Sequence, residues 1–169
     1  MPLSMYDATV PVFARALTQL RAVLAKGAAH AQAKKIEESV LLAARLYPDM
    51  FPLADQVRVA SDIARGVATR LSGGEPPKYE DNETTFADLI ARLDRAIADI
   101  KGLEPQKFEG AEARTLTRPV GGQSHTFTGR NYLFQFGVPN VLFHVTTAYD
   151  ILRHNGVELG KRDYIGALD

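Results

Sequence analysis

Residues 139–156 read PNVLFHVTTAYDILRHNG, and this stretch decides the fold class. Pro139 suits the first turn of a helix, where its missing N–H is no loss. Asn155-Gly156 supplies a stop, because glycine accepts the left-handed backbone that ends helices. Between them Val141, Leu142, Phe143, Val145, Ala148, Tyr149, Ile151 and Leu152 lie almost all round a helical wheel. A helix apolar on nearly every side is expected to be the most buried of its protein.

Working outward, three more helices of the same kind are predicted. Val10, Phe13, Leu17, Leu20, Leu24 and Gly27 share one face of a helix from about Ser4 to beyond Gly27. Residues 38–47 form a short helix ended by Pro48. Asp49-Met50-Phe51-Pro52 reads as a turn, with Pro52 in the first turn of the next helix. That helix carries Leu53, Val57, Ala60, Ile63, Ala64, Val67 and Leu71, and stops at Gly73-Gly74 before Pro76-Pro77. Another starts at Thr84 or Thr85 as N-cap. It carries Phe86, Leu89, Ile90, Leu93, Ile97 and Ile100, and ends at Gly102.

The pattern changes between Lys107 and Gly129. Thr115, Thr117, Val120, Thr126, Phe127 and Thr128 flank Gly121-Gly122, which predicts a small hairpin. Pro119 confines its first strand to an edge. The tail from Val157 to Asp169 reads as an ordered extension, since Leu159, Tyr164 and Ile165 need something to pack on. The expected fold is all-α: a four-helix bundle with a small β-hairpin in the connection before the last helix. With 169 residues there is little room for a second core, so one domain over 1–169 is expected.

Composition narrows the function classes. Twenty basic residues balance twenty acidic ones, which argues against a nucleic-acid partner. There is no cysteine, so disulfides, thiolate ligands and cysteine nucleophiles are excluded. The start, MPLSMYDATVPVFARAL, lacks the basic and apolar regions of a signal peptide. No apolar run is long enough to span a membrane, so a cytoplasmic protein is expected. Arg15, Arg21, Lys26, Lys34 and Lys35 form an acid-free run on the first helix, expected to be a solvated back face. Glu75 to Asp88 is an acidic stretch.

No single motif announces a reaction. There is no phosphate-binding loop, no HExxH and no GxSxG. None of His30, His125, His144 and His154 stands four residues from another. His144 sits in the middle of the most apolar helix, in a polar row with Asn140 and Thr147. An imidazole there could bind a metal, act as a base near neutral pH, or hydrogen-bond a neighbour. Gln56 lies within the apolar face of its helix, as a core amide, a ligand or a partner for His144. Asp49 is a turn or capping residue, or a metal ligand. Asp62 points opposite the apolar face and is solvated unless another element covers it. His30 is peripheral, and His154 complements the negative end of its helix. Tyr47, Tyr132 and Tyr149 are read as core-capping hydroxyls.

The segments RLYPDMFPL (45–53), Gln56-Val57, Asp62-Ile63-Ala64, PNVLFHVTTAY (139–149), ILRHNGV (151–157) and LGKRDY (159–164) resemble a widespread bacterial and fungal family of unknown function. That family is placed in the DinB/YfiT-like superfamily of metalloenzymes, and the resemblance covers essentially the whole chain. It implies a four-helix bundle of the up-down-down-up type and a homodimer, with the first helix a candidate interface. It also implies a three-histidine site for a divalent metal, zinc or nickel, with one ligand from the second long helix and an HxxxH pair from the last. His144 is in register with the second histidine of that pair, and so is the implied metal residue. Asn140 stands where the first would be. The second long helix has no histidine, and Gln56 or Asp49 is the nearest polar substitute. One imidazole with amides is a poor zinc site.

Three readings follow. By analogy with thiol-transferase-type members of the superfamily, the chain is an enzyme using His144 as ligand or base. Alternatively, Gln56, Asn140 and His144 line a small-molecule site without metal. The third reading is a structural or interaction protein. The reading preferred on the sequence is a small-molecule or divalent-metal site between the second and last long helices.

Overall fold

Ser4 starts the first helix. Its backbone is extended and its hydroxyl accepts the Asp7 N–H, capping α1 (Met5–Lys34). The computed structural model describes residues 3–168. Met1, Pro2 and Asp169, the ends of the expected 1–169 unit, lie outside the described residues. Phe13, Leu17, Leu20, Leu24 and Ala31 of α1 are buried, as the apolar spacing requires.

α2 (Glu38–Leu42) is shorter than residues 38–47, because the chain leaves the helix at Ala43, well before Pro48. The Glu38 carboxylate instead reaches across to accept the Phe86 N–H at 2.8 Å. α3 (Leu53–Leu71) begins one residue later than expected, with Pro52 as its extended N-cap. α4 (Phe86–Lys101) opens with a reciprocal capping box between Thr85 and Asp88 and closes at Gly102.

The hairpin forms as read. β1 (Thr115–Val120) pairs antiparallel with β2 (Gln123–Thr128), with Val120 opposite Gln123. The two-residue turn places Gly121 and Gly122 at φ 59° and 81°, a double left-handed conformation that glycine adopts without strain.

The last long helix starts earlier than Pro139. α5 (Gly129–Asn131) runs into a π-helical stretch, Tyr132–Gly137, and then into α6 (Val138–His154). Pro139 has no N–H to bond back into the preceding turn, and that turn is the wide one. Gly129 allows the entry, since a Cβ there would overlap the Ala111 carbonyl. A short α7 (Lys161–Ile165) follows.

The four long helices share one core. α1 packs on α4 and α6, and α3 packs on the same two. Gly27 of α1 lies against Leu152 near the end of α6 and Phe86 at the start of α4. Gly137, at the entry to α6, lies against Val67 of α3 and Phe13 of α1. Among the described residues no helix is long and apolar enough to cross a membrane.

One expectation fails locally, and two gain detail. α6 is not buried on all sides: Leu142 is 39% exposed and Phe143 56%. The basic back face of α1 is exposed, as read, but two of its cations also hold the tail. Arg15 donates to the Ile165 and Ala167 carbonyls, and Lys26 pairs with Asp163 at 2.7 Å, so the tail is fastened to α1. Tyr164 completes the fastening, edge-on against Tyr149 and accepting from the Thr146 hydroxyl. Asp62 is covered by the cations of two helices, Arg65 of α3 at 3.2 Å and Arg92 of α4 at 2.8 Å.

Arg92 organises the α3–α4 connection. Its side chain is wholly buried and donates to Ser61, Asp62, Asp81 and Glu83. Tyr79 of the same connection lies 3.7 Å and 3.8 Å from the Arg65 and Arg95 guanidinium carbons. Burial and the Asp99 carboxylate that its hydroxyl bonds push Tyr79 up to about 12.

Candidate functional site

α3 and α6 bring two of the four predicted residues together. Gln56 is placed by the first turn of α3, and it is 1% exposed. Its amide nitrogen donates to the Phe51 carbonyl at 3.0 Å, back across the turn that precedes the helix. That bond fixes the orientation of the amide and turns Oε1 the other way. Oε1 meets Nδ1 of His144 at 2.6 Å.

An amide oxygen can only accept, so Nδ1 must donate. In its neutral form His144 therefore carries its proton on Nδ1 and a lone pair on Nε2. Burial lowers the pKa of His144 below its ordinary 6.5, which favours the same neutral form. Nε2 has no protein partner among the described residues, and it is not among the buried atoms sealed from water. The ring of Phe143 stands edge-on to the imidazole, with centroids 5.2 Å apart. Phe143 and Phe51, flanking the pair, are both more than half exposed.

Asn140 lies one turn before His144 on α6, half-buried, with no side-chain hydrogen bond among the described residues. Thr147 completes the polar row but bonds the Phe143 carbonyl at 2.8 Å, so it serves the helix. Asp49 does not join. It is exposed in the turn closed by the Met50 to Tyr47 backbone bond, it caps nothing, and it makes no ion pair among the described residues. The other histidines are apart from this site. His125 is exposed on β2, His154 is exposed, and His30 lies by Gly156.

The arrangement can be tested against a divalent metal. Its donors are one imidazole nitrogen and the free Asn140 amide, since both ends of the Gln56 amide are already engaged. Among the described residues no group of three His, Cys, Asp or Glu gathers to hold an ion. Zinc and nickel want several imidazole or carboxylate ligands, and this set does not fit them.

The sequence reading missed two features of the site. One is the Phe51 carbonyl that orients Gln56, which no side-chain pattern encodes. The other is the exposed aromatic rim, hidden because Phe143 was counted as core. It also missed Arg92, although a charged residue three after Leu89 on an apolar stripe was a visible signal.

The profile of a family described as Domain of unknown function (DUF1993) matches residues 5–165. No curated protein matches significantly. A solved structure, the crystal structure of a DinB family member protein from Shewanella denitrificans at 1.83 Å resolution, is similar throughout. It is 40% identical with a TM-score of 0.91, and the alignment covers 97% of this chain and 93% of that one. Such a match conveys a shared fold, because function resides in sites. On the profile and the solved relative together, the chain belongs to the DUF1993 family, a DinB-like family of unknown function.

Proposed function

We propose that the α3–α6 contact is a small-molecule site whose reading group is His144. The observation that carries it is the 2.6 Å bond from Nδ1 to Gln56 Oε1. It puts the proton of the neutral imidazole on Nδ1, burial favours that neutral form, and Nε2 is left as an acceptor at the edge of the core. Such a group takes a hydrogen bond from a ligand hydroxyl, thiol or amide, or accepts its proton as a general base near neutral pH. Asn140 adds an amide that both donates and accepts, and Phe51 and Phe143 supply apolar walls. No step is assigned to a metal, because the donor set does not suit one.

The proposal includes the finer points of the fold. The contacts of Gly27 and Gly137 support α1 and α6 running one way and α3 and α4 the other, a four-helix bundle of the up-down-down-up type. One domain spanning the chain and a cytoplasmic location go with it.

A thermal-shift panel of small hydroxyl, thiol and amide compounds tests the site, with His144→Ala and Gln56→Ala as controls. A shift seen in the parent protein and lost in both variants supports it. A shift that persists in His144→Ala places the ligand elsewhere and overturns it.

A second reading is a non-catalytic homodimer that has lost an ancestral metal site. The exposed Tyr47, Phe51 and Phe143 favour it, as apolar side chains beside the same site. Sedimentation of the parent and of Phe143→Ser decides it: a dimer that dissociates in the variant assigns the rim to the interface.

A further inference from the structure

A cavity lies away from His144. It has a volume of about 240 Å³ and opens between α3, β1 and the π-helical stretch. That volume is below the roughly 300–1,000 Å³ of drug-sized sites, so an occupant would be small. Its walls include Val67, Arg70, Arg118, Tyr132 and Phe136, with Asp62 at one side.

Its polar groups are short of partners. Tyr132 is only 1% exposed, and its hydroxyl, which makes no hydrogen bond among the described residues, keeps contact with solvent at the cavity wall. Nε of Arg70 is buried and unbonded, with the exposed Glu75 carboxylate the nearest acid at 3.5 Å. Arg118 forms no side-chain hydrogen bond or ion pair among the described residues. The one acid in the wall, Asp62, is already held by Arg65 and Arg92. The cavity therefore carries one cation, Arg118, without a counter-charge among the described residues, and a second, Arg70, whose Nε pairs only with the exposed Glu75 at 3.5 Å.

The rest of the wall is shaped for a ring. Tyr132 and Phe136 stack 5.5 Å apart with planes 8° from parallel. They are four residues apart in the π-helical stretch, a geometry that recurs at functional sites. Gly66 makes room for the cation: a Cβ there would come within 2.7 Å of the Arg70 guanidinium.

We infer that this cavity binds a small carboxylic acid with an aromatic or similarly flat body. Its carboxylate meets Arg70 and Arg118, its body lies along Phe136 and Tyr132, and the unbonded Tyr132 hydroxyl is within the same wall. Guanidinium groups suit this because they match a carboxylate with two parallel bonds.

Benzoate, benzyl alcohol and benzylamine, titrated calorimetrically into the whole protein, form the test. Benzoate is expected to bind saturably, and the two others at least tenfold more weakly. Arg70→Met and Gly66→Ala are each expected to weaken benzoate tenfold or more. Gly66→Ala is a mild change within a helix, so it reports the displaced guanidinium with the fold intact. His144→Ala is expected to leave benzoate binding unchanged, which separates this cavity from the α3–α6 site. Equal binding of benzyl alcohol, no binding of benzoate, or full binding by Gly66→Ala and Arg70→Met would each overturn the inference.

Discussion

Arg92 holds the Glu83 carboxylate at 2.8 Å with both side chains withdrawn from solvent, 0% and 6% exposed. The pair ties α4 to a connection that has no regular structure of its own. Removing one partner of such a pair leaves the other buried and uncompensated, at a cost of about 3–5 kcal/mol. Glu83→Gln and Arg92→Met are each expected to lose about that much in urea unfolding. A double replacement by leucines is expected to lose less than the sum, as a coupled pair should.

The same carboxylate gives the protein an acid limit. Burial alone pushes Glu83 up, but hydrogen bonds from Arg92, its own backbone and Arg58 outweigh it and hold it below its ordinary 4.5. Its contribution is fully present above that unfolded value, and is lost as pH falls through the lower folded one. Unfolding midpoints measured from pH 6 down are expected to drop below about 4.5. Glu83→Gln is expected to flatten part of that drop.

His144 adds a second pH dependence with the same sign. Burial lowers its pKa, so the unfolded chain binds the proton more readily. Stability is expected to fall as pH drops past the unfolded value near 6.5. His144→Gln is expected to remove that component. Imidazole nitrogen shifts in NMR spectra are expected to show the Nδ1–H form at pH 7.

Gln56 offers a reversal. Gln56→Leu strands the Nδ1–H and is expected to cost about 1–3 kcal/mol. Gln56→Glu places a carboxylate at 2.6 Å spacing instead and is expected to raise the His144 pKa. The NMR titration of the two variants distinguishes a positioning contact from incidental packing.

Gly129→Ala is expected to be disproportionately damaging. The new methyl would overlap the Ala111 carbonyl oxygen, and backbone cannot move aside as a side chain does. A loss of at least about 2 kcal/mol is expected in urea unfolding, against a gain for most glycine-to-alanine changes in helices.

The helices were legible because their burial follows local spacing. Ser4, Thr85, Gly102 and Gly121-Gly122 announced their turns and caps by residue type alone. Gln56 and His144 were legible as polar residues on apolar faces, which demand partners. The Phe51 carbonyl that sets their tautomer was not, since any residue at position 51 offers the same oxygen. The π-helical entry was hidden for a related reason. Pro139 looks like a helix start because it lacks an N–H, and a wide turn before it satisfies the same lack. Phe143 misled because an all-round apolar wheel does not say which side meets water.

The clasp of Arg15 on the Ile165 and Ala167 carbonyls spans 150 and 152 positions of sequence. During synthesis the first helix therefore leaves the ribosome long before its fastening exists. Until then the outer side of α1 is bare, and its cations are free to meet polyanions or chaperones. The clasp closes only after residue 167 has cleared the exit tunnel, so this surface is completed well after the helix that carries it has emerged.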